Sequence, residues 1–206
     1  MAIIEIKIVS RPSTSIAFFN QTDNAELTAS KAIMGPFTWI TNTETHQKST
    51  NASGSIVVER TVSSDLLTQT NNITFDSLAT WSMADTATGI ALDHEYFSYA
   101  AANGITHPSS GQYTLTGIDA PFTCTTTYTY NSNSEDAFFN NFTATLEVSD
   151  KLTSFTNTGS QLIAVHTFTN AADFTNNHWR DSSFVEYLKE NGFARTISYA
   201  LVSSDA

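Results

Sequence analysis

Between Phe122 and Tyr130 the chain alternates without a break. Cys124, Thr126, Tyr128 and Tyr130 fall on one side, opposed by threonines at 123, 125, 127 and 129. A period of two places successive side chains on opposite faces of an extended strand, and no helix presents a sequence that way. Asn141–Val148 repeats the pattern, with Phe142, Ala144, Leu146 and Val148 on one face. So does Ile3–Val9, where Ile4, Ile6 and Ile8 oppose Glu5 and Lys7. Seven further runs read as strands: Ser15–Phe19, Phe37–Thr41, Ser55–Val62, Asn72–Phe75, Tyr113–Ile118, Gln161–Phe168 and Ala194–Val202. Ten candidate strands predict a mainly β fold.

Composition agrees. Charged residues make up only 14% of the chain, while Thr, Ser and Asn together supply about a third. Surface solubility therefore rests on hydroxyls and amides, and threonine, being β-branched, suits a half-wet sheet face. Fourteen Phe, seven Tyr and three Trp provide the bulk of a core. A chain of 206 residues buries roughly 70% of its extended surface, which suits one large or two small domains without staples. No apolar run reaches the ~18–20 residues that span a bilayer, and Met1–Ser10 reads as a strand, not a signal peptide. Nine basic against twenty acidic residues, a net charge of −11, argue against phosphate-backbone binding. A single cysteine, Cys124, excludes an internal disulfide framework and a cysteine-based zinc cluster.

Two helices are expected. Ser183–Glu190 opens on an S-x-x-E capping box, with Phe184, Tyr187, Leu188 and Asn191 on one stripe and Asn191-Gly192 as terminator. The other runs from about His94 to Ala102, after Asp93 as N-cap and before Asn103-Gly104. Side by side they expose a repeat: Tyr96-x-x-Tyr99-x-x-x-Asn103-Gly104 against Phe184-x-x-Tyr187-x-x-x-Asn191-Gly192. Upstream, Thr74-Phe75 with Ala79 and Trp81 matches Thr167-Phe168 with Ala172 and Phe174. Val62-Ser63 with Leu66 likewise matches Val148-Ser149 with Leu152. The expectation is two tandem related β-sandwich or barrel-like units, each with one short α-helix. Residues 1–108 would form the first, with its helix near 94–102, and residues 109–206 the second, with its helix near 183–190. The Pro/Ser/Gly-bearing segment His107-Pro108-Ser109-Ser110-Gly111 would join them.

Chemistry is hard to find. His46, His94, His107, His166 and His178 show no H-x-x-x-H or H-E-x-x-H spacing, and Asp93-His94-Glu95 suits the first turn of a helix as well as a metal. Glu135-Asp136 beside Asn131-Ser132-Asn133-Ser134 lacks the regular calcium-loop pattern. No G-x-S-x-G elbow or Gly-rich phosphate loop occurs. Sequons at Asn20, Asn51, Asn72 and Asn141 are what chance produces in such a Ser/Thr-rich chain. Trp39, Trp81 and Trp179 suit either a core or a sugar-stacking platform, and Cys124 reads as a small buried hydrophobe. The polar stretches Thr41–Gly54 and Ala84–Leu92 read as loops that become ordered against a neighbouring subunit. No catalytic, cofactor-binding or metal site is assigned, and no cofactor is expected.

An acidic, Thr/Ser/Asn-rich β chain with one cysteine and no catalytic constellation resembles, in composition and style, virion structural proteins of tailed bacteriophages. The half-unit is similar to phage tail-tube proteins, in which a β-sandwich or barrel carries a flanking helix and a loop that orders between subunits. That resemblance implies a non-enzymatic, self-assembling tail protein located in the virion. Its partners would be further copies of itself, possible trimers included, and other virion proteins, with neither sequence-specific nucleic-acid binding nor a membrane. A capsid decoration protein and a carbohydrate-binding or adhesive module are the alternatives.

Overall fold

The computed structural model describes residues 2–18, 32–88, 99–106, 113–129, 150–177 and 194–202. Strands β1 (Ile3–Ser10), β2 (Phe37–Asn42), β3 (His46–Asn51), β4 (Ile56–Val62), β5 (Thr68–Phe75) and β6 (Tyr113–Thr116) form one antiparallel sheet in the order β2-β3-β4-β5-β1-β6. Strands β7 (Phe122–Thr129), β8 (Leu152–Asn157), β9 (Gln161–Phe168) and β10 (Ala194–Leu201) form a second, in the order β10-β7-β9-β8. Helix α1 (Leu78–Thr88) follows β5, and helix α2 (Ala171–Asn177) follows β9. The protein is thus mainly β, with two antiparallel sheets and few short helices.

The period-two reading holds in β7, where Phe122, Cys124, Thr126 and Tyr128 are buried and the intervening threonines are not. β1 is different. Its buried residues are Ile3, Glu5 and Val9, whereas Ile4, Ile6 and Ile8 lie half-buried on the outer face. Register explains the choice, since Ile3 and Glu5 stand opposite Phe75 and Ile73, and Glu5 also opposite Leu115. The inward carboxylate is tolerated because Lys7 Nζ lies 3.1 Å away and the Tyr113 hydroxyl donates to it at 2.9 Å.

Inward faces of both sheets and both helices meet in one core. Ile3, Ile56, Phe75 and Leu115 come from the first sheet, Phe122, Phe168, Ile197 and Tyr199 from the second, and Trp81 and Phe174 from the helices. Trp81 stacks on Tyr199 with ring centroids 3.8 Å apart and meets Phe174 edge-on at 5.5 Å.

Several expectations need correction. Thr41–Gly54 is no loop: β3 runs through it, hydrogen-bonded to both β2 and β4. Its polarity hid it, because near a sheet margin both faces are partly wet. Asn51, 4% exposed, closes the β3–β4 turn by accepting from Ile56 N at 3.0 Å and donating to Ser55 Oγ and Met34 O. Within Ala84–Leu92, residues 84–88 belong to α1. Residues 15–18 are not strand; Arg11 pins this segment instead, its guanidinium donating to the carbonyls of Ile16 at 2.6 Å and Leu66 at 2.7 Å. Leu66 sits in the β4–β5 turn with φ +61°, while Leu152 opens β8, so those two positions are not equivalent. Residues 99–103 are helical, as expected for the end of the 94–102 helix. The expected strand 141–148, the helix 183–190 and the segment 107–111 lie outside the described residues.

Strand β6 pairs with β1, so the first sheet reaches past residue 108 to Thr116. The chain then crosses to the second sheet through Gly117, whose φ of +90° and closeness to the Ala2 carbonyl leave no room for a side chain. No described helix is long and apolar enough to cross a membrane.

Candidate functional site

Several titratable groups of the described residues are paired or buried within the fold. His46 Nε2 and Glu59 Oε1 are 2.7 Å apart on the outer face of the first sheet, and that hydrogen bond holds the Glu59 carboxyl below its usual range. His166, half-buried on β9, is pushed down by burial. The Cys124 thiol is pushed up to about 12 by burial, which removes it as a nucleophile at ordinary pH. Tyr199 donates its hydroxyl to Asp85 at 2.8 Å inside the core. Among the described residues no three His, Cys, Asp or Glu side chains are placed to hold a metal ion. His94, His107, His178, the Asp93-His94-Glu95 group and Glu135-Asp136 lie outside those residues.

Two sequons can be judged directly. Asn51 is buried and hydrogen-bonded in its turn, and the side-chain oxygen of Asn72, in mid-strand on β5, is inaccessible to water. Asn51 could not carry a glycan without breaking the bonds its Nδ2 makes to Met34 and Ser55. The tryptophans divide: Trp81 is 2% exposed in the core, Trp39 is 50% exposed on β2, and Trp179 is outside the described residues.

Strand β2 is the most unusual surface. Among the described residues it forms the margin of the first sheet, paired to β3 alone. Trp39 and Ile40 are 50% and 60% exposed, and Ile33 just upstream is 51% exposed. Residues 32–43 contain no charged side chain. Sheet margins in soluble proteins are usually blunted by charge, proline or a bulge. Here the only such device within the strand is a register shift between Trp39 and Thr41. The result is an uncharged strand margin with large apolar groups in water, a template for another strand or apolar surface. Sequence reading placed β2 correctly but could not show that Trp39 faces water, because alternation does not distinguish a marginal strand from a central one. The chain matches no protein-family model, and no curated protein shows significant sequence similarity to it.

Proposed function

We propose that the protein is a non-enzymatic structural component of a tailed-phage virion, a self-assembling part of the tail of the tube-forming kind. The observation that carries self-assembly is the β2 margin, with Trp39 and Ile40 held in water on an uncharged strand. Fully burying a large apolar side chain is worth roughly 1.5–3 kcal/mol, so covering these two gives a contact its central anchor. A net charge of −11 opposes the approach of like copies everywhere else, which favours contact at this neutral segment and makes it stronger as salt rises. The assignment to a virion rests on the style of the sequence alone.

Native mass over a range of concentrations and salt, followed by electron microscopy, tests the reading. Trimers, rings or tubes that disappear in a Trp39→Lys/Ile40→Lys variant with unchanged circular dichroism are the expected result. A strict monomer at every concentration overturns self-assembly and moves the weight to a capsid decoration protein, which needs a preformed lattice. The exposed Trp39 indole also suits stacking on a sugar ring. Glycan binding that is lost in a folded Trp39→Ala variant would favour a carbohydrate-binding module instead.

A further inference from the structure

We infer that the chain consists of two copies of one β-β-β-α-β unit, docked about a pseudo-twofold axis so that each lends its helix to the last strand of the other. The inference is independent of the proposed function.

Strand order comes first. The segment β4-β5-β1-β6 of one sheet and β8-β9-β7-β10 of the other have the same arrangement in space and sequence. In each, the unit's first strand lies between its third and its last, and the helix follows the third. Register then agrees pair by pair. Ile3 opposite Phe75 corresponds to Phe122 opposite Phe168, and Ser10 opposite Thr68 to Thr129 opposite Gln161. All eight β1–β5 pairs map onto β7–β9 pairs in this way. On the other side, Glu5 opposite Leu115 corresponds to Cys124 opposite Tyr199, and all four β1–β6 pairs map onto β7–β10 pairs. A slip of one residue would turn every side chain to the wrong face, so this agreement is demanding.

The strand–helix junctions match in chemistry as well. Thr74-Phe75 and Thr167-Phe168 each end a strand with a buried phenylalanine. Ser77 Oγ accepts from Thr80 N at 3.2 Å to cap α1, and Asn170 Oδ1 accepts from Asp173 N at 2.9 Å to cap α2. The Thr80 hydroxyl donates to Asp76 at 2.6 Å, and the Thr169 hydroxyl donates to Asp173 at 3.2 Å. The same pair occupies the same two positions with its members exchanged. Trp81 and Phe174 then fill equivalent places in the core at 2% and 1% exposure.

The strongest observation crosses between the halves. Ser82 Oγ on α1 accepts the hydrogen bond of Tyr199 N on β10 at 2.9 Å. Thr175 Oγ1 on α2 accepts that of Leu115 N on β6 at 3.1 Å. Ser82 and Thr175 lie equally far along from the matching Thr-Phe pairs, and Tyr199 and Leu115 are equivalent by register. Each helix therefore covers the margin of the other unit's sheet that no strand pairs with among the described residues, a surface that invites foreign strands when left bare. The interaction surface of one unit is the last-strand margin, and its partner is a second copy of that unit. In the first copy the β2–β3 hairpin lies between the unit's first and second strands.

Amide hydrogen exchange on the full chain tests the exchange of helices. Ser82→Ala should speed exchange at Tyr199, and Thr175→Ala at Leu115, each by roughly tenfold for one lost hydrogen bond. Acceleration confined to β5 for Ser82→Ala and to β9 for Thr175→Ala, or none at all, would overturn the reciprocal docking. Equivalence of the units is tested by giving the first junction the chemistry of the second, as Asp76→Thr/Ser77→Asn/Thr80→Asp. This triple variant should melt within about 2 °C of the parent, whereas Asp76→Thr and Thr80→Asp alone should each cost more. A triple variant that loses as much as its separate substitutions together would refute it.

Discussion

Replacing Trp81 by alanine removes the ring at the centre of the molecule. The side chain is 2% exposed, stacked at 3.8 Å on Tyr199, and in edge contact with Phe174 at 5.5 Å and Phe122 at 6.3 Å. Truncating a buried Trp typically costs about 3–5 kcal/mol, because transfer free energy is lost and the cavity closes only in part. The upper end applies here, since the neighbours come from two strands of the second sheet and from the other helix, and all three would have to move together to fill the space. For a chain of this size each kcal/mol lowers the midpoint by roughly 2–4 °C, which puts the expected loss at about 10–20 °C. Trp39→Ala is the internal control: its ring is half in water, and the change should stay within about 1 kcal/mol. Thermal and urea unfolding followed by far-ultraviolet circular dichroism measure both. A loss below 1 kcal/mol for Trp81→Ala, or an equal loss for Trp39→Ala, would refute the assignment of core and surface.

Two further outcomes follow from the buried and paired groups. With its thiol pushed up to about 12, Cys124 should resist a disulfide reagent at pH 8 in the native protein and react fully in 6 M guanidinium, a concentration of roughly the order that unfolds even very stable domains; rapid stoichiometric labelling of folded chain would contradict its burial. Asp173 is held below its ordinary value of 3.8, mainly by hydrogen bonding from Lys151, whose Nζ is 2.9 Å from Oδ1. A depressed carboxyl stabilises the fold above its unfolded pKa, and that contribution fades as pH falls from about 4 through the folded value. Asp173→Asn should therefore flatten the acid limb of the stability profile below about pH 4; parallel profiles for parent and variant would show that the pair contributes nothing.

What could be read from the sequence follows from where water lies. β7, β9 and β10 were legible because each has one dry face and one wet face, so side-chain polarity records the pleat. β3 was not, since His46, Gln47 and Lys48, one strand in from the margin, stay half-exposed on both faces. In β1, three isoleucines gave the stronger apolar signal, yet they face outward, because Glu5 finds Lys7 and Tyr113 inside. Helices α1 and α2 were missed for a related reason: their hydroxyls at Ser82, Thr86 and Thr175 bond to strand margins and so blur the apolar stripe that marks a helix. The capping residues Ser77 and Asn170 were the available signal for both. In the candidate site, Trp39 was identified as one of three tryptophans, but its exposure depends on strand order, which no local pattern encodes.

The docking of α1 on β10 has a consequence for the order in which the molecule can be made. Thr86 holds the backbone of Ile197 from 111 residues away, donating to its carbonyl at 2.7 Å. At a synthesis rate of roughly 5–20 residues per second, β10 emerges on the order of 5–20 s after the helix it must meet. Trp81 spends that interval without Tyr199, so the first sheet and its helix cannot reach their final state until β10 has been made. Completion waits for β10, and long-range closure of this kind slows folding. A nascent chain stalled before residue 194 would expose an unstacked indole that chaperones can bind, whereas a chain with β10 in place hides it.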